Sequence, residues 1–290
     1  MKETIKTVLL LTILTVILIE LCGLIGSLFH LGSLGFLIGF IIAMGSNIAS
    51  YFYSDTIALK SCGAQLVSEN EAPELHRIVG ELANNAGIKK PRVAIMNNQD
   101  PNAFATGRNQ DHAVVAVTTS LLNLLTENEL KGVLSHELGH IKNKDILISS
   151  VVATIAGIIV MIGNMLQYGA MFSGIGGNDS EGVGNIIGMI ALSILAPIAA
   201  TVVQLAISRS REFKADETGA KICGHPEDLA NALRKIDLGV QTNPMEEAKQ
   251  TNAHMFIINP FGNASSTFKK LFSTHPQTSD RIKRLNNMTI

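Results

Sequence analysis

Two histidines four positions apart, with a glutamate directly after the first, are residue types that hold and use a metal ion. The chain carries this set at His136-Glu137-Leu138-Gly139-His140. On a helix of 3.6 residues per turn, positions 136 and 140 stack on one face. Two imidazoles placed so can bind one Zn2+ at about 2.0–2.1 Å. Glu137 is turned by about 100° from its neighbour, beside the ion rather than on it. That suits a general base drawing a proton from water. The bland counterpart is a surface helix with two solvated histidines. A catalytic zinc needs a third protein ligand. The extended pattern with a third histidine is absent: Ile146 stands ten residues after His136, and Asn143 occupies its glycine position. The remaining ligand is then a carboxylate or a histidine further along.

The elements that must position these residues are partly apolar. Four long runs, about 7–29, 33–53, 146–172 and 185–207, are each long enough to cross a hydrocarbon core of about 30 Å. Glu20 interrupts the first, which places it near an interface or beside a partner. That run reads as an uncleaved anchor: it is longer than a secretion signal's apolar stretch and a second run follows at once. Lys2 and Lys6, Lys60, Lys142 and Lys144, and Arg209, Arg211 and Lys214 flank the runs, and all fall on one side of such a membrane. The link between runs three and four has two acids and no base. By the positive-inside rule, both ends and the segments 54–145 and 208–290 are expected in the cytoplasm. Asp179 and Glu181 then lie on the wrong face, and the first cytoplasmic acid after run four is Glu212. His140 precedes run three by about six residues and Glu212 follows run four by about five, so both project roughly 8–9 Å from the same face. Asp216, one turn from Glu212, could accept the second ring N–H of a metal-binding histidine. A solvated helix face is the plain alternative for this pair.

Hydrophobic residues make up 47% of the 290 and charged residues 16%, below the roughly 25% usual in soluble domains. Mean hydropathy is positive. The net charge of −1 points to no nucleic-acid partner. No phosphate-loop motif occurs, so no nucleotide site of that type is expected. Cys22, Cys62 and Cys223 have neither the spacing of a zinc site nor that of a disulfide framework. Within 54–145, residues 71–87 have helical spacing, PRVAIMNN and HAVVAVTTS read as strands, and Thr126 with Glu129 forms a capping-box start for the helix of His136. Segment 208–290 reads as mostly helical, with loops in NPMEEAKQTNAH and NPFGNASST. Gly35 and Gly39 in run two have the spacing of a helix-packing pair.

HELGH, followed after a membrane hairpin by Glu212-Phe213-Lys214-Ala215-Asp216, resembles the HtpX-type membrane zinc proteases, relatives of the CAAX prenyl proteases. Asn102-Ala103-Phe104-Ala105-Thr106-Gly107 is similar to their NAFATG segment, and Ser273-Thr274-His275-Pro276 with Arg281-Ile282 to their C-terminal element. The resemblance covers nearly the whole chain. It implies His136, His140 and Glu212 as ligands of one catalytic Zn2+, Glu137 as the base, and Asp216 behind the ligands. It implies Asn102, Ala103, Phe104 and Ala105 at the substrate cleft, beside an edge strand to which a peptide can add. His275 and Arg281 would lie near the metal, as a donor to the developing oxyanion and a brace for Asp216. Asp145 has no clear role beyond a helix-end or outer-sphere part.

The expected fold is an α-helical membrane protein with a mainly helical, α+β, zincin-like cytoplasmic protease domain and a small β-sheet next to the HExxH helix. Hairpin 1–53 and hairpin 146–207 anchor it, and 54–145 and 208–290 carry the protease. The expected function is cleavage of misfolded or damaged membrane proteins in quality control and stress response, at the inner or plasma membrane. The alternatives are a prenyl-protein protease and a non-enzymatic zinc-binding or transport protein. Against transport, Glu20 is the only acid or histidine in the four runs that could line a path.

Overall fold

The computed structural model describes residues 12–13, 15–20, 22–23, 33–148, 158–159, 209–242, 256–258 and 276–290. Most of runs one, three and four, and His275, lie outside the described residues. The chain divides into two compact units, 1–48 with 151–206 and 49–150 with 207–290.

Helix α1 runs Ser33–Ser61, eight residues beyond the apolar run read from the sequence, with a non-helical Tyr53 inside it (φ −117°, ψ 18°). In the first unit its Gly35 and Gly39 are buried on one face. A Cβ on Gly39 would come within 2.7 Å of Cys22 Cβ, so only glycine allows that approach. Asn47 Nδ2 donates to Thr15 Oγ1 at 2.8 Å. Leu34, Phe36, Leu37, Phe40, Ile41 and Ile48 are exposed instead. Among the described residues no single helix is long and apolar enough to cross a membrane, although Ser33–Ala49 and Tyr51–Ser61 pass by length and composition as a bent pair.

The second unit holds a four-stranded mixed sheet in the order β1-β2-β4-β3. Its strands are β1 (Ala64–Leu66), β2 (Arg92–Met96), β3 (Ala103–Thr106) and β4 (Val114–Thr118). β2 and β4 are the two β-branched runs read as strands, and they pair in parallel, Val93 opposite Val115. β4 is buried along its whole length, which explains its unbroken apolar composition. β1 and β3 pair antiparallel at the two edges. One sheet face, including Val93, Val115 and Val117, packs on the helices. The other, including Ala94, Phe104 and Ala116, is covered by Ala58 and Leu59 at the end of α1.

Around the first face lie α2 (Pro73–Ala86), the short α3 (Thr119–Leu124), α4 (Glu127–Asn143), α5 (Arg209–Cys223), α6 (Pro226–Thr242) and α7 (Thr278–Asn286). α2 buries Leu75, Ile78, Val79 and Leu82, the face expected from its spacing. The capping box that opens α4 is formed in both directions between Thr126 and Glu129. α4 does not continue into run three. It ends at Asn143, and Lys144 takes the left-handed conformation (φ 65°) with its N–H bonded to the last carbonyls. The helix therefore closes in a Schellman-type cap, and Asp145 N–H bonds back to His140 O at 2.9 Å.

Candidate metal centre

α4 and α5 bring the candidate ligands together because their backbones almost touch. A Cβ on Gly139 would lie 2.9 Å from Ala215 O, and one on Gly219 would lie 2.8 Å from His136 N. Glycine at both places lets Glu212, on the first turn of α5, reach the histidines of α4. His136 Nε2 stands 3.2 Å from His140 Nε2. Glu212 carboxylate oxygens lie 3.6 Å from His136 Nε2 and 3.5 Å from His140 Nε2. One ligand atom from each of the three residues falls within 4.8 Å of the others. Bonds of about 2.0–2.2 Å in a tetrahedron separate ligand atoms by about 3.3–3.6 Å, so the spacing fits a single zinc-sized ion.

Each imidazole has its own carboxylate on the far nitrogen. His136 Nδ1 donates to Asp216 Oδ1 at 2.9 Å, and His140 Nδ1 lies 3.4 Å from Asp145 Oδ2. These partners set the tautomer: Nδ1 carries the proton and Nε2 keeps its lone pair for a cation. Arg281, 1% exposed, donates Nε and Nη2 to the two oxygens of Asp216 at 3.0 and 2.7 Å. Burial alone would raise the Asp216 pKa, but the Arg281 charge and the His136 hydrogen bond hold it at about 2.

The surroundings shift the two histidines in opposite directions. Burial and the Arg281 charge push His136 down, so it stays neutral. Burial would do the same to His140, but the Glu212 charge and Asp145 outweigh it and raise His140 to about 9. Glu137 is buried beside them, and burial raises it to about 7, against the opposing charge of His140. The Ala105 backbone hydrogen-bonds the Glu137 carboxylate, which ties the edge strand to the candidate base.

Of the residues named from the sequence, His136, Glu137, His140, Glu212, Asp216 and Arg281 thus cluster in one buried centre. The segment 103–106 is not beside the edge strand; it is the edge strand β3. Ala105 turns its backbone to Glu137, while Phe104 packs under α1. Asn102 is buried, and its Oδ1 accepts from Ile257 N–H at 3.1 Å. Sequence reasoning gave Asp145 no more than a helix-end or outer-sphere part and passed over Gly139, Gly219 and Ile257. For Asp145 the signal was an acid five residues after a ligand; for the others no local signal exists.

Residues 69–289 match the family model Peptidase family M48. The chain belongs to peptidase family M48. As an M48 member it is a metallopeptidase, a hydrolase of peptide bonds. Relatives named Protease HtpX homolog agree over most of their length. That of Pyrococcus furiosus is 52% identical, over 89% of this chain and 88% of its own. That of Campylobacter hominis is 49% identical, over 99% and 98%. That of Syntrophobacter fumaroxidans is 48% identical, over 89% and 91%. The crystal structure of S. mikatae Ste24p aligns with a TM-score of 0.48 at 18% identity, covering 98% of this chain and 66% of that one. At that distance it does not bear on the M48 centre described above.

Proposed function

We propose that the chain is a membrane-anchored zinc endopeptidase whose centre faces the cytoplasm and which cleaves misfolded or damaged membrane proteins. The observation that carries this reading is the convergence of His136, His140 and Glu212 beside the buried Glu137. In this reading those three hold one Zn2+. The ion, when bound, supplies Lewis acidity to a carbonyl and lowers the pKa of water toward 7. Glu137 takes the proton from the attacking water and passes it to the leaving amine; a carboxyl poised near neutrality serves both transfers. Asp216 and Asp145 keep the histidine lone pairs aimed, and Arg281 keeps Asp216 ionised. An extended peptide adds to the edge of β3 by backbone hydrogen bonds. His275, outside the described residues, is assigned as the donor to the developing oxyanion.

Segments 1–53 and 146–207 act as the membrane hairpins, and 54–145 and 208–290 carry the two halves of the peptidase. The one-sided basic flanks and the exposed apolar side chains of α1 between Leu34 and Ile48 support this arrangement. The test is cleavage of casein by purified, zinc-loaded protein. Glu137→Gln should bind zinc normally and lose activity by about 10²–10⁴-fold. Glu212→Ala should lose zinc. A Glu137→Gln protein that cleaves as well as wild type sinks the mechanism, and a Glu212→Ala protein with full zinc affinity sinks the ligand set.

A further inference from the structure

Asn102 enters β3 with its backbone locked to the end of β4. Its N–H donates to Thr118 Oγ1 at 2.8 Å, and its carbonyl accepts from Thr118 N–H at 2.9 Å. Its side chain, 5% exposed, reaches to Ile257 in the segment Phe256–Ile258, all three residues of which are buried. The Ile257 carbonyl in turn accepts from Arg281 Nη1 at 2.6 Å. The same guanidinium grips Asp216, which holds Nδ1 of His136. An unbroken hydrogen-bonded path thus runs from the first residue of the edge-strand segment to a metal-ligand candidate.

Physical reasons make this path directional. A buried guanidinium has five N–H donors, and each one left without an acceptor costs free energy. Asp216 takes two donors, and the Ile257 carbonyl takes another from the far side. The guanidinium plane is therefore set by where that carbonyl points. The N–H and the carbonyl of Ile257 lie on the two peptide units that share its Cα, so holding the N–H through Asn102 restrains where the carbonyl points.

We propose that Asn102 is a positioning residue rather than a substrate contact. Through the backbone of Ile257 it aims Arg281 at Asp216, and so keeps His136 on the ion and in register with the strand on which peptide pairs. Registry matters because a displacement of about 1 Å between substrate and catalytic groups costs about 10²-fold in rate. The inference rests on the zinc-site reading above.

The experiment uses the full-length protein in detergent, with zinc affinity measured by chelator competition and kcat and KM on an unstructured peptide. Asn102→Leu removes the acceptor at similar volume. It should weaken zinc binding about tenfold to a hundredfold, the usual loss for a group behind a ligand, and lower kcat with KM little changed. Asn102→Asp keeps an acceptor for Ile257 N–H and loses the amide donors. It should restore most of the zinc affinity and kcat. Raised KM at wild-type zinc affinity in either variant makes Asn102 a substrate contact and overturns the proposal. Should Asn102→Leu not fold, Asn102→Ala, which removes the same acceptor with less volume, is read by the same two measurements, with unchanged zinc affinity overturning the positioning role. Wild-type protein that binds no zinc fails the zinc-site reading itself, whereas equal affinity in wild type and Asn102→Leu fails only the positioning role.

Discussion

At the scale of residues, the centre sets carboxylates against nitrogen groups: Asp216 against Arg281 and His136, and Glu212 and Asp145 against His140. Against the effect of burial, the Glu212 charge and Asp145 push His140 up to about 9, and burial pushes Glu137 up to about 7. Both lie above their unfolded values of about 6.5 and 4.3. Folding therefore favours the protonated forms, and metal-free protein should lose stability as pH rises from about 4 to about 9. With the proposed ligand set, zinc displaces the His140 proton, so zinc affinity should rise about tenfold per pH unit between pH 7 and 9. Calorimetry in buffers of differing ionisation enthalpy reads the released proton; a flat affinity across that range would contradict the assigned state of His140. Asp145 Oδ2 lies 3.4 Å from His140 Nδ1, as Asp216 Oδ1 lies 2.9 Å from His136 Nδ1. Asp145→Asn should weaken zinc binding by about tenfold or more, measured by chelator competition. Unchanged affinity would reduce Asp145 to a helix-end group.

At the scale of elements, the site depends on how closely two helices approach. Gly139 faces Ala215, and Gly219 faces His136, at distances no Cβ tolerates without movement. Gly139→Ala should force α4 and α5 apart, cost about 1–3 kcal/mol of stability, and weaken zinc binding, because the ligands sit on opposite sides of that contact. Gly132 is the control. A Cβ there would lie 2.5 Å from Leu229 N, on α6, which supplies no ligand. Gly132→Ala should lower the melting temperature by a similar amount and largely spare zinc affinity. Equal loss of zinc affinity in both variants would mean that overpacking acts globally and not through the α4–α5 contact. The end of α4 matters as well: the left-handed Lys144 turns Asp145 back toward His140, which a helix running straight on into residue 146 would prevent.

At the scale of the whole molecule, the proposed arrangement uses the chain's apolar content to anchor a peptidase at a membrane. Reporter fusions test it. Fusions after residues 60, 214 and 290 should report the cytoplasmic side, and one near residue 178 the opposite side. A cytoplasmic signal at 178 would overturn the hairpin made by runs three and four, and with it the orientation argument that led to Glu212. Net charge near zero provides no long-range steering for a charged substrate, so the proposed function relies for recognition on the backbone edge of β3 and on proximity to a membrane.

Much of this was legible in the sequence because it is periodic or local. The four-residue spacing of His136 and His140 dictates a shared helix face, Thr126 and Glu129 mark where that helix starts, and the β-branched runs mark β2 and β4. The tetrapeptide Ala103–Thr106 is too short to show strand periodicity, and it becomes a strand only by pairing with β4. The left-handed cap at Lys144, the backbone contact at Gly139 and Gly219, and the grip of Asn102 and Arg281 on Ile257 join residues distant in sequence or held in an unusual conformation. They arise from packing, and no local pattern encodes which carbonyl a buried arginine will find. The sequence by itself determined the chemistry available, two imidazoles, a base and nearby carboxylates. Only the tertiary structure decided which carboxylate serves each histidine, because that follows from how closely α4, α5 and α7 approach.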